Sequence, residues 1–369
     1  MNTSPLSLQR VFVYGDRSIG SGGWCYSQAL QRRGISVDSF SDWDGLEDYH
    51  RRTYRRVFRR VTSSLFERDR SAHVSRLVAR INHHRSQLVV VLKGLHLGPQ
   101  DVHRLRDSGC TIINVNHDDF FSRYSLNWSI LQRAAIPLYD YVLTTREVNV
   151  EEVRPLNPHV SFFPFAYEPL IHKPIDIPRA ESEIWSVDAV FVGTYAHQRA
   201  CLLEKLVQLH PARYAVWGNG WHRLSRGSPL RKYVHFKALD FEDQSKAICG
   251  AKLAFGFLRK ENRDDYTQRT FEIPACGGLL LAERTERHMK LYKEGIEAEF
   301  FNPERPDELV QKTRRLLSDP ARSSQIRVAG QRAVARSGHT YDARIDQLFS
   351  VYERLGLPNA NVPGLVSLK

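Results

Sequence analysis

Residues 259–283, RKENRDDYTQRTFEIPACGGLLLAE, hold the densest chemistry in the chain. Arg259, Lys260, Arg263 and Arg269 stand with Glu261, Asp264, Asp265 and Glu272 around the start of a short expected helix. A helix N-terminus carries partial positive charge and amide N–H groups without helical partners, so arginines around it make an anion site. A carboxylate one turn in can accept hydrogen bonds from sugar hydroxyls. Together these describe a site for a phosphate joined to a sugar. The N-terminal half offers a second group: Lys93 after QLVVVL, and His117, Asp118 and Asp119 after TIINVN. A histidine or carboxylate in such a place can serve as a general base. The structural alternative is that these side chains cap the next helix. Three consecutive residues converge poorly on a metal ion, and no metal site is expected.

The elements that would position these residues follow an alternating β–α pattern. RVFVYG reads as a strand, SIGSGG as a glycine turn, and the next stretch as an amphipathic helix leading to the strand ISVDSF. Gly20 and Gly22 lie in that turn, where an acceptor could sit. Their spacing is G-x-G-G, which does not fit a dinucleotide fingerprint. QLVVVL and TIINVN read as buried parallel strands. The pattern restarts at VDAVFVGTY, which ends at Gly193, and a helix carrying Arg199 follows. RYAVWGNGW reads as a strand, and YVHFKAL as another ending near Lys237. In the central stretch Thr267 is expected as N-cap, Gly277 and Gly278 as a left-handed stop, and LLLA as a buried strand.

RTFEIPACGGLLLAERTERH, continued by LYKEGIEAEFFN and DELVQKTRRLLSDP, resembles the C-terminal half of the CgeB-like, group 1 glycosyltransferases. The pairing VLKG…NHDD resembles their N-terminal half. The resemblance implies the GT-B fold: an α/β protein of two Rossmann-like α/β/α domains facing a central cleft. It places an acceptor-side domain at 1–172, a donor domain at 173–345, and a C-terminal helix and tail at 346–369 that cross back to the first domain. The clan carries two acids eight positions apart. Here Glu272 matches the second and Asp264 the first, with Asp in place of Glu. By this resemblance Glu272 binds the ribose hydroxyls of a nucleotide-sugar and Asp264 lies near the sugar. The amides of Tyr266, Thr267 and Gln268 face the diphosphate. Gly193, Arg199, Lys237 and Arg269 complete the donor set, with Arg199 at the place of a diphosphate-binding lysine. His117, Asp118, Asp119 and Asp264 are the catalytic candidates, and Gly20, Gly22 and Lys93 the acceptor-side ones.

The implied function is transfer of a sugar from a nucleotide-diphosphate sugar to a glycan, lipid-linked or protein acceptor, without a metal or resident cofactor. Composition sets the competing readings. At 369 residues the chain is long enough for two domains. Five scattered cysteines without a CxxC pair give no zinc knuckle or disulfide framework, so a cytoplasmic location is expected. No apolar run is long enough to span a bilayer. The net charge of +12 owes much to residues 50–70, where Arg51, Arg52, Arg55, Arg56, Arg59 and Arg60 cluster. That cluster reads as a solvated helix face, or as a surface for anionic lipid or an acidic acceptor. Peripheral membrane association is thus a second expectation. Nucleic acid fits poorly, because no recognised module accompanies the charge. A non-catalytic sugar-nucleotide or glycan-binding protein on the same fold is the alternative function, and a sugar-nucleotide epimerase a further one.

Overall fold

Two parallel sheets organise the chain in the computed structural model, which describes residues 8–42, 63–122 and 128–356. Each belongs to its own compact unit. The first sheet comprises β1 (Arg10–Tyr14), β2 (Ser36–Phe40), β3 (Leu88–Leu92), β4 (Thr111–Asn116), β5 (Tyr141–Thr144) and β6 (Val160–Phe162). Their order is β2-β1-β3-β4-β5-β6, with every pairing parallel. The continuous apolar run of β3 is buried along its whole length, as expected for a strand covered on both faces. Phe12, Tyr14, Val89 and Val91 point to one face and pack with Val74, Leu77, Ile81, Val102 and Leu105 from the helices Ser63–His84 and Pro99–Arg106.

The second sheet comprises β7 (Ala189–Val192), β8 (Tyr214–Trp217), β9 (Leu253–Gly256), β10 (Leu280–Glu283) and β11 (Glu299–Phe301), in the order β11-β10-β9-β7-β8. Side chains alternate between its faces. Phe191, Val216, Phe255 and Leu281 meet the helices His197–Leu209 and Pro306–Ser318. Val190, Ala215, Ala254 and Leu280 meet Phe241–Gly250 and Arg269–Ala275. Those last two helices therefore lie on one face.

In both sheets the first strand lies between the second and the third. This is the topological switch point, outside whose carboxyl end ligands bind in open α/β sheets. Lys93 and His117 follow β3 and β4, and Gly193 follows β7, so each lies at a carboxyl edge.

The units divide the chain at Pro164–Phe165 and at Thr340–Tyr341, not at 172/173 and 345/346. Residues 165–172 join the second unit through specific contacts. The Phe165 amide donates to the Tyr266 hydroxyl at 3.1 Å, and Tyr167 bridges to Thr340. The helix Tyr341–Gly356 belongs to the first unit from its first residue. The Tyr341 ring meets Tyr26 edge-on at 4.9 Å, and Asp342 takes Arg32 at 2.7 Å. Packing of residues 165–172 against the second unit sets the boundary. YVHFKAL also departs from expectation. It forms only an isolated bridge at Val234, because Phe236 takes a left-handed φ of 55° that breaks the pleat. The arginines at 51, 52, 55, 56, 59 and 60 lie outside the described residues.

Candidate functional site

Four side chains of the second unit converge at the carboxyl end of β7. Arg269, first residue of its helix, donates from Nε to the Val192 carbonyl at 3.2 Å and from Nη2 to Gln244 Oε1 at 2.8 Å. Its Nη1 meets Glu272 Oε2. Gln244 Nε2 donates to the same carboxylate oxygen at 3.2 Å. His172 Nδ1 accepts from the Glu168 amide at 3.0 Å, so its Nε2 carries the proton and lies 3.5 Å from Glu272 Oε1. Glu272 is 5% exposed. Burial raises its carboxyl, but the charge of Arg269, His172 and the two hydrogen bonds outweigh that and hold it below the usual carboxylate range. Burial lowers His172, with Glu272 opposing and Arg269 assisting. Oε2 is thus committed to two donors, while Oε1 keeps acceptor capacity for a hydroxyl. Gln244 and His172 were missed in the sequence. Neither sits in a motif, and only packing brings their segments to Glu272.

Arg199 departs from its expected role. Its guanidinium is buried and donates to Thr194 O at 2.9 Å, Phe257 O at 2.8 Å and Leu258 O at 3.1 Å, over the Phe191 ring. Burial lowers it to about 10. Arg199 therefore clamps the loops after β7 and β9 across the switch point and is a positioning residue. Gly193 sits beneath that clamp. Its carbonyl accepts from Trp221 Nε1 at 2.9 Å, and a Cβ on Gly218 would approach it to 2.1 Å. Gly218 also has φ 140°, which L residues rarely adopt. Gly218→Ala is expected to destabilise the protein by about 2–4 kcal/mol through strain and steric conflict. Urea unfolding measures it, and a loss under about 0.5 kcal/mol would show that the loop relaxes freely.

Other expected donor residues are also tied into the loop. Asp264 Oδ1 accepts from Asn262 Nδ2 at 2.8 Å, and Oδ2 from the Arg259 amide at 3.3 Å. Its carboxylate thus shapes the 259–264 turn. Tyr266 is buried with its hydroxyl on the Phe165 amide. Gln268, not Thr267, is the N-cap, and no side chain caps it. The Thr267 amide donates to Thr270 Oγ1 at 3.2 Å, so it is not aimed at a ligand. Gly277 supplies the left-handed stop with φ 73°. Gly278 instead lets the turn approach Ile248 and Ile273. Lys237 is exposed, its ammonium 5.4 Å from the centre of the Trp217 ring and its carbonyl accepting from the Gly218 amide.

The first unit gathers its own candidates at its carboxyl edge. Lys93 has a left-handed φ of 60°, a costly conformation for lysine. It is held there by Gln132 and Asn114, which both donate to its carbonyl. Its ammonium pairs with Asp118 at 2.5 Å. His117 Nε2 lies 3.2 Å from the Tyr26 hydroxyl, and a Cβ on Gly22 would come within 3.6 Å of the imidazole. Gly22 thus lies in contact range of that ring, and Gly20 turns the preceding loop with φ 81°. Burial lowers His117 to about 4, with Asp118 opposing and Lys93 and Arg146 assisting. The ring is neutral near pH 7. Asp119 is buried, and its Oδ1 accepts from the Phe121 amide and Asn149 Nδ2, both at 2.9 Å, so this oxygen holds the local turn.

His288 in the second unit gives a pH prediction. It is buried, donates from Nδ1 to the Glu283 carbonyl, and burial lowers it to about 4. In the unfolded chain it titrates near about 6.5. Between these values the unfolded chain binds a proton that the folded protein refuses, so stability falls as pH drops through the window. The full effect is about 3 kcal/mol for this histidine. Urea midpoints from pH 7 to pH 4 should fall, and less steeply in His288→Gln. Equal slopes would disprove the assignment.

Comparison with known proteins bears on this geometry. Residues 198–350 match the model of a family described as glycosyl transferase-like. No curated protein sequence matches. A sucrose-phosphate synthase from Thermosynechococcus elongatus is similar in structure, with TM-score 0.66 at 14% identity, over 94% of this chain and 99% of that one. HepE from Anabaena, in complex with UDP and glucose, has TM-score 0.63 at 12% identity, over 94% and 99%. The E. coli trehalose-6-phosphate protein bound with UDP-2-fluoro glucose has TM-score 0.64 at 13% identity, over 94% and 99%. With two parallel α/β units and these neighbours, the fold of this chain is that of the GT-B glycosyltransferases.

Proposed function

We propose that this chain is a glycosyltransferase that takes its sugar from a nucleoside diphosphate sugar. The observation that carries the reading is the Arg269–Glu272–Gln244–His172 cluster at the switch point of the second sheet. Glu272 Oε1 would accept the ribose hydroxyls. The Arg269 guanidinium, with Arg259 and Lys260 nearby in sequence, would oppose the charge that builds on the diphosphate as it leaves. Fixed donors of this kind accelerate the step because their strength grows as the bond breaks.

In the first unit, neutral His117 and the Lys93–Asp118 pair would form the acceptor side, with Gly20 and Gly22 shaping the loop beside them. A neutral imidazole near pH 7 can take a proton or hold a hydroxyl. Membership of the CgeB-like branch, transfer without a bound metal, and a cytoplasmic site of action belong to the same proposal. No helix among the described residues is long and apolar enough to cross a membrane.

The test is a thermal-shift screen with UDP, GDP, ADP, TDP and CMP and their common sugars, repeated with EDTA. A ligand bound only by the folded state raises the melting temperature. One nucleotide class should raise it in wild type, with or without EDTA, and sugar release from that donor should follow. No shift with any nucleotide would overturn the reading. A shift without turnover against any acceptor would favour a non-catalytic binding protein.

A further inference from the structure

Cys249 and Cys276 lie at the ends of the two helices that carry the polar cluster. Cys249 ends the Phe241–Gly250 helix that bears Gln244, one residue before its last. Cys276 follows the Arg269–Ala275 helix, and its amide donates to the Glu272 carbonyl at 3.0 Å. The Cys249 thiol donates to the Cys276 carbonyl at 3.2 Å, which sets the two cysteines side by side. The pair is asymmetric: Cys249 is half-buried and Cys276 fully buried. Cys249 Sγ accepts from the Ile175 amide at 3.4 Å. Cys276 Sγ touches Ser245 Oγ at 3.6 Å, and that hydroxyl donates to Ile171 O at 3.1 Å. The pair therefore sits where the segments bearing His172, Gln244 and Glu272 meet.

Thiolate is the reactive form of cysteine, and hydrogen-bond donors and cations favour it. The Cys276 thiol lowers Cys249, against burial, with the Ile175 amide and the Arg327 charge assisting. Cys276 is pushed well up by Cys249 and by burial. Cys249 is thus the partly exposed thiol of the pair, and Cys276 lies buried behind it.

We propose that Cys249 and Cys276 are a redox-active pair that a hydroperoxide closes to a disulfide, tying the Gln244 helix to the Glu272 helix. In the first step the Cys249 thiolate attacks a peroxide oxygen and the O–O bond breaks. Hydroxide leaves and takes a proton from solvent, and Cys249 becomes a sulfenic acid. In the second step the Cys276 sulfur attacks Cys249. The S–O bond breaks, and its hydroxyl leaves with the Cys276 proton as water. The two thiols lose two electrons, and the peroxide gains them. A thiol reductant reverses the link by exchange.

The test uses the full chain carrying Cys201→Ser, which removes the exposed cysteine. The protein is treated with hydrogen peroxide, blocked with iodoacetamide, digested and examined by mass spectrometry. A Cys249–Cys276 peptide that disappears with dithiothreitol is expected. Cys276→Ser should instead stall at a Cys249 sulfenic acid that dimedone traps. Hydrogen exchange should slow at residues 241–250 and 269–275 in the oxidised form. An unmodified Cys249, or a sulfenic acid without the link when Cys276 is present, overturns the pair. Unchanged exchange in linked protein overturns the tie between the helices. Absence of binding of every nucleotide in the screen by reduced protein would count against the proposed function and leave the disulfide result standing.

Discussion

Glu272→Gln is expected to weaken binding of the donor nucleotide by about 10- to 150-fold while the protein stays folded. The carboxylate is the centre of the cluster, with Arg269 and Gln244 on Oε2 and His172 facing Oε1. Hydrogen bonds to a charged group are worth about 1.5–3 kcal/mol, which sets that range. The amide keeps the shape and one acceptor but loses the charge, and its NH2 would face a donor. Arg269 then also lacks its counter-ion and is free to swing toward solvent. Calorimetric titration with whichever nucleotide the thermal screen selects measures the change. Undiminished affinity in a folded variant would remove Glu272 from the site. Glu272→Ala is expected to add a stability loss of about 3–5 kcal/mol, since truncating one partner of a buried pair leaves the other uncompensated. The glutamine variant therefore separates binding from folding.

Arg199→Ala is expected to destabilise the second unit by about 3–5 kcal/mol. Three carbonyls, of Thr194, Phe257 and Leu258, would lose their donor in a buried place. Each unpaired buried acceptor costs about 1–3 kcal/mol, less whatever water recovers by entering. A shift of the melting temperature by about 6–20 °C follows for a unit of this size. Arg199→Lys should restore only part of the loss, because an ammonium cannot span the fork of carbonyls that a guanidinium reaches. A different result would return Arg199 to a ligand role: wild-type stability in Arg199→Ala, with nucleotide binding abolished. The two replacements thus distinguish a clamp from a phosphate ligand.

The fold was legible because most of its strands announce themselves. LVVVL, TIINVN and AVFV are short apolar runs bounded by turn residues, and they alternate with amphipathic stretches. Glu272 and Arg269 were legible too, since both lie three residues apart on one short helix and point the same way. His172 and Gln244 were not. They come from segments distant along the chain, and nothing in HKPID or FEDQSK marks them. The hydrogen bonds that tie Arg199 and Asp119 into the fold were not legible for a related reason. A charged residue at a strand end looks the same whether its hydrogen bonds go to a ligand or to the main chain. The decision lies in burial, which for Arg199 and Asp119 is nearly complete.

Local sequence was enough for the two βα-repeating halves, most of their strand positions and the stretch around Glu272. These depend on side-chain periodicity and on turn residues, both of which act over a few positions. The boundary at Phe165, the clamp made by Arg199, and the meeting of His172, Gln244 and Glu272 depend on which surfaces pack together. So does the pairing of Cys249 with Cys276, residues 27 positions apart. Such contacts are set by the parallel sheet, which puts Phe241–Gly250 and Arg269–Ala275 side by side on one face. A chain read one residue at a time carries no record of that adjacency until the sheet forms.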